Sequence, residues 1–422
     1  MGHRLTACLL LLVALFATAP PAAAAGKFEL LPRIRVEEEY NDNVFLLAAN
    51  KKADFITTFY PGLNLAARTP SSGVELDYEL GYSYYYNLNT DFVRHALGLR
   101  AYEAVSPHLS IEAVDTFYRS EDLIEPGLGT LAPRQILLPY TRNMATPRVS
   151  YRYAPESDVT VAYTNILLKN DSPAVQDSYG NRIGFEVHHA LNRHNHLEIG
   201  YSFESGRFTW VPTTTFLVLP NLTANRANLG YTYQFSRRLS LIGVYAFEDI
   251  GFQGNTVPNY LTHESRAGFA YTFAPGYSAT VTGGYYLLDR QRASSKGGPA
   301  VDVLVQKVME RGVLNAGFRQ GLSEDFYSGE NLGVFKYWLA STGFTYFLEQ
   351  HLNAAVGAQY GRRHFPLVDR EDDFWSVDAG LVYRLRKWLE AGVRYERLYL
   401  LSKPGPFDFS DNRYVATIGA TY

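Results

Sequence analysis

The side chains with the most chemistry to offer in this chain are its ten histidines and a regular series of carboxylates and guanidiniums. Among the histidines, His188-His189 and His194-x-His196 bring nitrogen donors close together in sequence. Neither spacing fixes a coordination geometry, so adventitious metal capture is the safer assignment. His95, His189 and His263 fall on apparent outer faces of strands. Neither G-x-S-x-G nor H-E-x-x-H occurs, and no serine is convincingly paired with a histidine. Catalytic residues, a metal centre and a cofactor are therefore not expected.

The charges are more orderly. Arg33, Arg35, Glu37 and Glu39 occupy alternate positions, as do Glu75, Asp77 and Glu79; Glu390, Arg394 and Glu396 keep one phase, and Arg413 lies near the C-terminus. Alternate residues of an extended chain share a face. Opposed acidic and basic ladders on such a face set up a transverse field that selects solutes. The simpler role, for any single residue, is a mutual ion pair that stiffens the wall. Two strand spacings are about 10 Å, so direct bonds from Arg33 or Arg35 to the carboxylates at 75–79 are not expected, and a good part of these charges should face solvent. Glu38 breaks the alternation near a strand end, where water can reach it.

The elements that must hold these ladders are long strands. From 74 to 86, Val74, Leu76, Tyr78, Leu80, Tyr82, Tyr84 and Tyr86 alternate with Glu75, Asp77, Glu79, Gly81 and Ser83. Soluble strands run nearer five or six residues, so this one has the length of a membrane span. The pattern recurs about every 40 residues, with short turns near 69–73, 106–108, 154–158, 192–195, 235–238, 274–277, 310–312, 349–351 and 386–387. Longer polar or Gly/Pro-bearing connections lie between them, at 120–143, 206–220, 290–300, 364–373 and 402–411. Short turns on one side and long loops on the other predict a transmembrane antiparallel up-and-down β-barrel, all-β, of 18–20 strands with 20 the best count. The stretch from Val301 to Glu324 patterns least cleanly and keeps 18 open. An open edge in hydrocarbon would strand backbone N–H and C=O groups, so the first strand, Leu31 to Tyr40, should pair with the last, Asn412 to Tyr422.

Residues 1–25 read as a signal peptide: Arg4, an apolar run from Leu5 to Phe16, and a small-residue zone from Pro20 to Ala25. The apolar run is too short for a spanning helix, and it ends in prolines. The barrel should occupy 26–422. The single cysteine, Cys8, lies in the leader, which leaves the barrel no disulfide. Mean hydropathy of -0.17 with 14% aromatics suits alternating lipid-facing and lumen-facing residues. A formal charge of -3 gives no basic footprint for nucleic acid. The expected place is the bacterial outer membrane, and the expected partners are its lipid and the barrel assembly machinery.

A 20-stranded wall has a radius of roughly 20 Å, so an aqueous channel follows unless something fills it. No long N-terminal plug precedes the first strand, and constriction must come from side chains or loops. Two loops are unusually apolar, QILLPY at 135–140 and FLVLP at 216–220; they either fold inward as a gate or pack on each other above the rim. Inward glycines such as Gly62, Gly81 and Gly230 suit strand curvature.

Two segments carry a resemblance. RVEEEYNDNVFL at 35–46, and above all its E-x-Y-N-D-N-V-F core at Glu38 to Phe45, resembles the opening strand of the outer-membrane β-barrel porin type 2 family; EDFYSGENLGVFKY at 324–337 resembles a later loop-strand segment of the same group. The resemblance implies a role in exopolysaccharide or capsule systems, with polysaccharide and periplasmic export components as further partners, and it supplies no catalytic residues. The residues themselves imply only a pore. A general porin for small hydrophilic solutes, or a barrel sheathing a periplasmic partner, stays open beside export. Asn41, Asp42 and Asn43 suit a turn at a strand end, with Ca²⁺ binding the lesser alternative.

Overall fold

The computed structural model of the protein describes residues 26–124, 134, 137–211, 218–254, 256–291, 294–328, 330–405 and 407–422. The expected leader at 1–25 lies outside them, as do Gln135, Ile136, Phe216 and Leu217 of the two apolar loops.

Among the described residues the regular structure is all strand. In chain order the strands are β1 (Lys27–Asn41), β2 (Asp54–Arg68), β3 (Ser72–Tyr85), β4 (Thr90–Ala104), β5 (Leu109–Ser120), β6 (Tyr140–Ala154) and β7 (Ser157–Asn170). Then come β8 (Ser178–Asn192), β9 (Asn195–Phe208), β10 (Leu222–Gln234), β11 (Leu239–Phe252), β12 (Tyr260–Ala274), β13 (Tyr277–Arg290) and β14 (Lys296–Met309). The last are β15 (Gly312–Asp325), β16 (Gly333–Phe347), β17 (Leu352–Phe365), β18 (Arg370–Arg386), β19 (Leu389–Lys403) and β20 (Phe409–Thr421). Each pairs antiparallel with its chain neighbours, and β1 also pairs with β20, from Arg33 opposite Thr421 to Asn41 opposite Arg413. The sheet closes on itself as a 20-stranded up-and-down barrel with no free edge. The count of 20 holds because Val301 to Glu324 belongs to two full strands, β14 and β15, joined by a tight turn.

Strands run from 12 residues in β5 to 17 in β18, beyond the roughly 9–11 that cross hydrocarbon. Val93, Val161, Ile183, Val356, Val393 and Ile418 lie on the outer face and are 44–56% exposed. Such a surface is stable only against lipid. His95, His189 and His263 also point outward, each hydrogen-bonded to a tyrosine hydroxyl (Tyr78, Tyr153 and Tyr245) at 2.7–2.9 Å.

The nine tight turns fall where the sequence places them. Their side chains explain why: Thr69, Ser106, Ser236 and Asn192 each accept hydrogen bonds from backbone N–H groups two and three residues on. At the long-loop end one expectation fails. The stretch 364–373 is mostly strand, with only 366–369 between β17 and β18. Arg370 and Asp372 are turned inward and paired with Glu330 and Arg363, while on the other face Asp373 pairs with Arg362 at 2.6 Å and Glu371 stays exposed beside His364.

The apolar core lies inside the long-loop half of the barrel. One cluster joins Leu219, Leu222, Ile250, Phe252, Tyr260 and Leu288 to Val334, with Leu322, Phe326 and Leu367 packed against it. A second joins Phe374, Leu398, Leu400 and Phe409, with Leu46 and Ile124 from two loops against it.

Candidate functional site

The register turns all the expected charged residues to the inner face, and several of them meet. Arg33 makes two 2.6 Å bonds to the Asp77 carboxylate, and its Nε is 3.5 Å from Glu79. Arg35 donates to Glu37 at 2.7 Å and to Glu79 at 3.1 Å, with its guanidinium 3.9 Å above the Tyr60 ring. Glu75 accepts from Arg68 at 2.7 Å, and Glu39 from Asn41 at 3.2 Å. Arg413 bonds Asp411 at 2.6 Å and faces Glu396 in the register. Glu390 faces Gly419, and Arg394 faces Gly380.

Direct pairing between β1 and β3 corrects the expectation that two strand spacings keep those charges apart. The physical reason is Gly62 on the intervening strand. A Cβ there would lie 2.6 Å from Arg33 Nε and 2.9 Å from its Cγ. With no side chain at Gly62, the arginine lies flat across β2 and reaches Asp77. Gly81 is occupied in the same way by Tyr60 and Arg94, so these inward glycines make room for long side chains as well as for curvature.

The more consequential group is one that alternation alone does not single out. The described residues between β15 and β16 enter the barrel instead of leaving it: Tyr327, Ser328, Glu330, Asn331 and Leu332 are 1–6% exposed. They are internally braced. Ser328 Oγ accepts from the N–H groups of Glu330 and Asn331, Asn331 Oδ1 accepts from Ser328 N–H, and Asp325 accepts from Leu332 N–H, all at 3.0–3.1 Å. On one side Glu330 bonds Arg370 at 2.9 Å, and Arg370, Arg363 and Ser402 converge on Asp372. At the other end, Tyr327 reaches the far wall. Its ring stacks on Phe208 at 5.5 Å, its hydroxyl donates to Glu204 at 2.7 Å, and its carbonyl accepts from Arg142 at 3.0 Å.

The seat for that ring is a notch. Gly180 of β8 and Gly206 of β9 face each other in the register, and a Cβ on either would come within 2.8 Å of the Tyr327 phenol. Below it, Arg226 of β10 holds Glu204 at 2.9 Å and crosses to Glu324 of β15 at 2.6 Å. Burial and the Glu204 carboxylate push the Tyr327 hydroxyl well above its ordinary range, so it stays a neutral donor. Burial also raises the Glu330 carboxyl, against the pull of Arg370.

Other loops fill the same half. Glu121 is fully buried and accepts from Arg94 and from the Tyr85 hydroxyl. Val44 packs with Ile56 and Tyr85. Of the two apolar loops, the described part of 216–220 goes inward: Leu219 is buried, its N–H donates to Gln176 Oε1 at 3.0 Å and its carbonyl accepts from Gln176 Nε2 at 3.1 Å. In 135–140, Leu138 is 41% exposed while Tyr140 is covered by the Arg134 guanidinium. The motif at 41–43 has a structural use. Asn41, Asp42 and Asn43 spend their side-chain oxygens on Asn43, Asn412 and Leu47, tying the first loop to β20 at the closing seam. That leaves poor provision for a calcium ion there.

A closed antiparallel barrel, apolar outside and charged within, is a bacterial outer-membrane β-barrel. Residues 325–422 match the family described as "Putative beta-barrel porin 2", beginning at the segment that seats Tyr327. The FrpB iron transporter from Neisseria meningitidis (F5-1 variant) is similar with a TM-score of 0.54 and 8% identity, over 93% of this chain and 82% of that one. The siderophore receptor PirA from Pseudomonas aeruginosa gives 0.54 and 7%, over 93% and 80%. The outer membrane protein opdK from Pseudomonas aeruginosa gives 0.45 and 13%, over 93% and 99%. The first two likenesses show the fold. A comparison with curated proteins gives no match.

Proposed function

We propose that the protein is a gated outer-membrane conduit for a hydrophilic solute, with an exopolysaccharide or capsular polymer as its cargo. The observation that carries the gate is Tyr327, delivered from β15–β16 to a two-glycine notch on β8–β9. Its energetics suit a reversible closure. A buried hydrogen bond to a charged acceptor contributes about 1.5–3 kcal/mol, and burying the ring contributes a similar amount. Against this, Tyr327 sits at φ 62°, a left-handed conformation that costs a bulky residue about 1–3 kcal/mol. The closed state is therefore favoured by a margin that a bound solute or partner can overcome.

The polymer assignment draws on the family match and on a recess of about 360 Å³ below the constriction. Thr160, Ser202, Asn228, Arg226 and Glu248 line it, and the Asn228 side chain lies over Gly200. Hydroxyl, amide and charged groups around small residues suit hydrogen bonding to sugar hydroxyls. Release of preloaded sugars from proteoliposomes tests the proposal, with heat-modifiable migration reporting folded barrel. Tyr327→Ala should release long oligosaccharides that the parent retains. Release of monosaccharide alone would favour a general porin, and retention of everything by a folded variant would refute a conduit.

A further inference from the structure

The inner face near the short-turn end of β7–β9 holds a further constellation, which adjoins the recess through Glu186, Thr160 and Asn228. His188 faces Glu198 across β8–β9 and Asp158 across β7–β8, and Glu186 lies two residues before it on the same face. One ligand atom from each of Glu186, His188 and Glu198 lies within 4.8 Å of the others. We propose that these three residues bind one divalent transition-metal ion at the short-turn mouth of the lumen.

The distances suit this use. A tetrahedral ion with bonds of about 2.1 Å sets its ligands about 3.4 Å apart, and His188 Nε2 is already 3.4 Å from Glu186 Oε1. The ligands also have outer support of the kind metal sites use. A ligating imidazole usually gives its second N–H to a carboxylate, and here Asp158 Oδ2 lies 3.4 Å from His188 Nδ1. Thr160 donates to that carboxylate at 3.4 Å, and Asn228 donates to Glu198 at 3.2 Å.

Charge makes the same point. The inward carboxylates Asp77, Glu79, Glu112, Glu204 and Asp372 each meet an arginine. Among the described residues, Glu186 and Glu198 form no ion pair with arginine or lysine. Two carboxylates and an imidazole, with positions left open to lumen water, suit Zn²⁺, Co²⁺ or another borderline cation rather than Mg²⁺ or Ca²⁺. A carboxylate or hydroxyl of a passing solute can take an open position. Of the histidines paired in the sequence, His188 lies in this group, whereas His189 points outward to Tyr153 and His194 is bonded to the Gln234 carbonyl.

Titration of the refolded full-length barrel with Co²⁺, read by visible absorption and by equilibrium dialysis, tests the site. The parent should take up one Co²⁺ per chain, displaced by Zn²⁺. His188→Ala and Glu198→Gln should each weaken binding about 100-fold or abolish it, and Asp158→Asn should weaken it about 10-fold. A His194→Ala/His196→Ala double variant should bind like the parent. Absence of saturable uptake by folded parent, uptake that survives His188→Ala, or loss in the double variant would overturn the proposal. Heat-modifiable migration of every variant shows that the barrel under titration is folded.

Discussion

A Cβ added at Gly62 would sit 2.6 Å from Arg33 Nε, so Gly62→Val should lift the guanidinium off β2 and separate it from Asp77. Overpacking of this kind costs about 1–3 kcal/mol. The expected outcome is a lower urea midpoint with unchanged slope. Gly98→Val, where a Cβ meets nothing within 4 Å, should leave the midpoint in place. Which residues share the inner face was legible from alternation in β1, β3, β19 and β20. Which of them touch was not, because contact depends on a side chain that the strand between them lacks. The same limit hid Tyr327: its left-handed backbone and its partner Glu204 follow from tertiary packing, and the local sequence Tyr-Ser-Gly-Glu-Asn reads as an ordinary polar loop.

At the scale of elements, the short turns were readable from their regular spacing, and four of the nine carry a hydrogen-bonding side chain that closes them. Past the irregularity between Ala190 and Asn192, the β8–β9 register sets Gly180 against Gly206. What no local pattern announces is that a loop from across the barrel fills the notch so formed. The expectation of a loop over 364–373 fails for a related reason: Arg370 and Asp372 pattern as solvated loop charges, and only tertiary packing brings Glu330 to meet Arg370. Strand facing supplies its own test on neighbouring residues of β7. Val161 is outward and 47% exposed, while Ala162 lines the inner recess. Val161→Arg should reduce the folded fraction by an amount matching roughly 2–4 kcal/mol, the cost of arginine near the bilayer midplane. Ala162→Arg should fold nearly as the parent does. Equal loss in the two, read by heat-modifiable migration, would contradict the facing.

For the whole molecule, the loops that fill one half of the lumen belong to the long-loop end, which the turn asymmetry assigns to the cell exterior. Cys8 is the only cysteine, so single introduced thiols report cleanly. Lys52→Cys should react with an impermeant maleimide on intact cells, and Ser71→Cys should react only after the outer membrane is opened; the reverse pattern would invert the orientation. The barrel itself was legible as a whole because its period, its turn asymmetry and the need to close agree. The entry of loops into its lumen was not, since that depends on contacts between segments far apart in the chain. Single-channel recording in planar bilayers reads whether Tyr327 in the Gly180–Gly206 notch holds the proposed conduit shut, comparing the parent with Tyr327→Ala and with Gly206→Val, which fills the notch and leaves the loop sequence intact. The parent should be mostly silent, and both folded variants should show at least a tenfold higher mean conductance. A parent that conducts freely, with neither variant changing it, would overturn the gate.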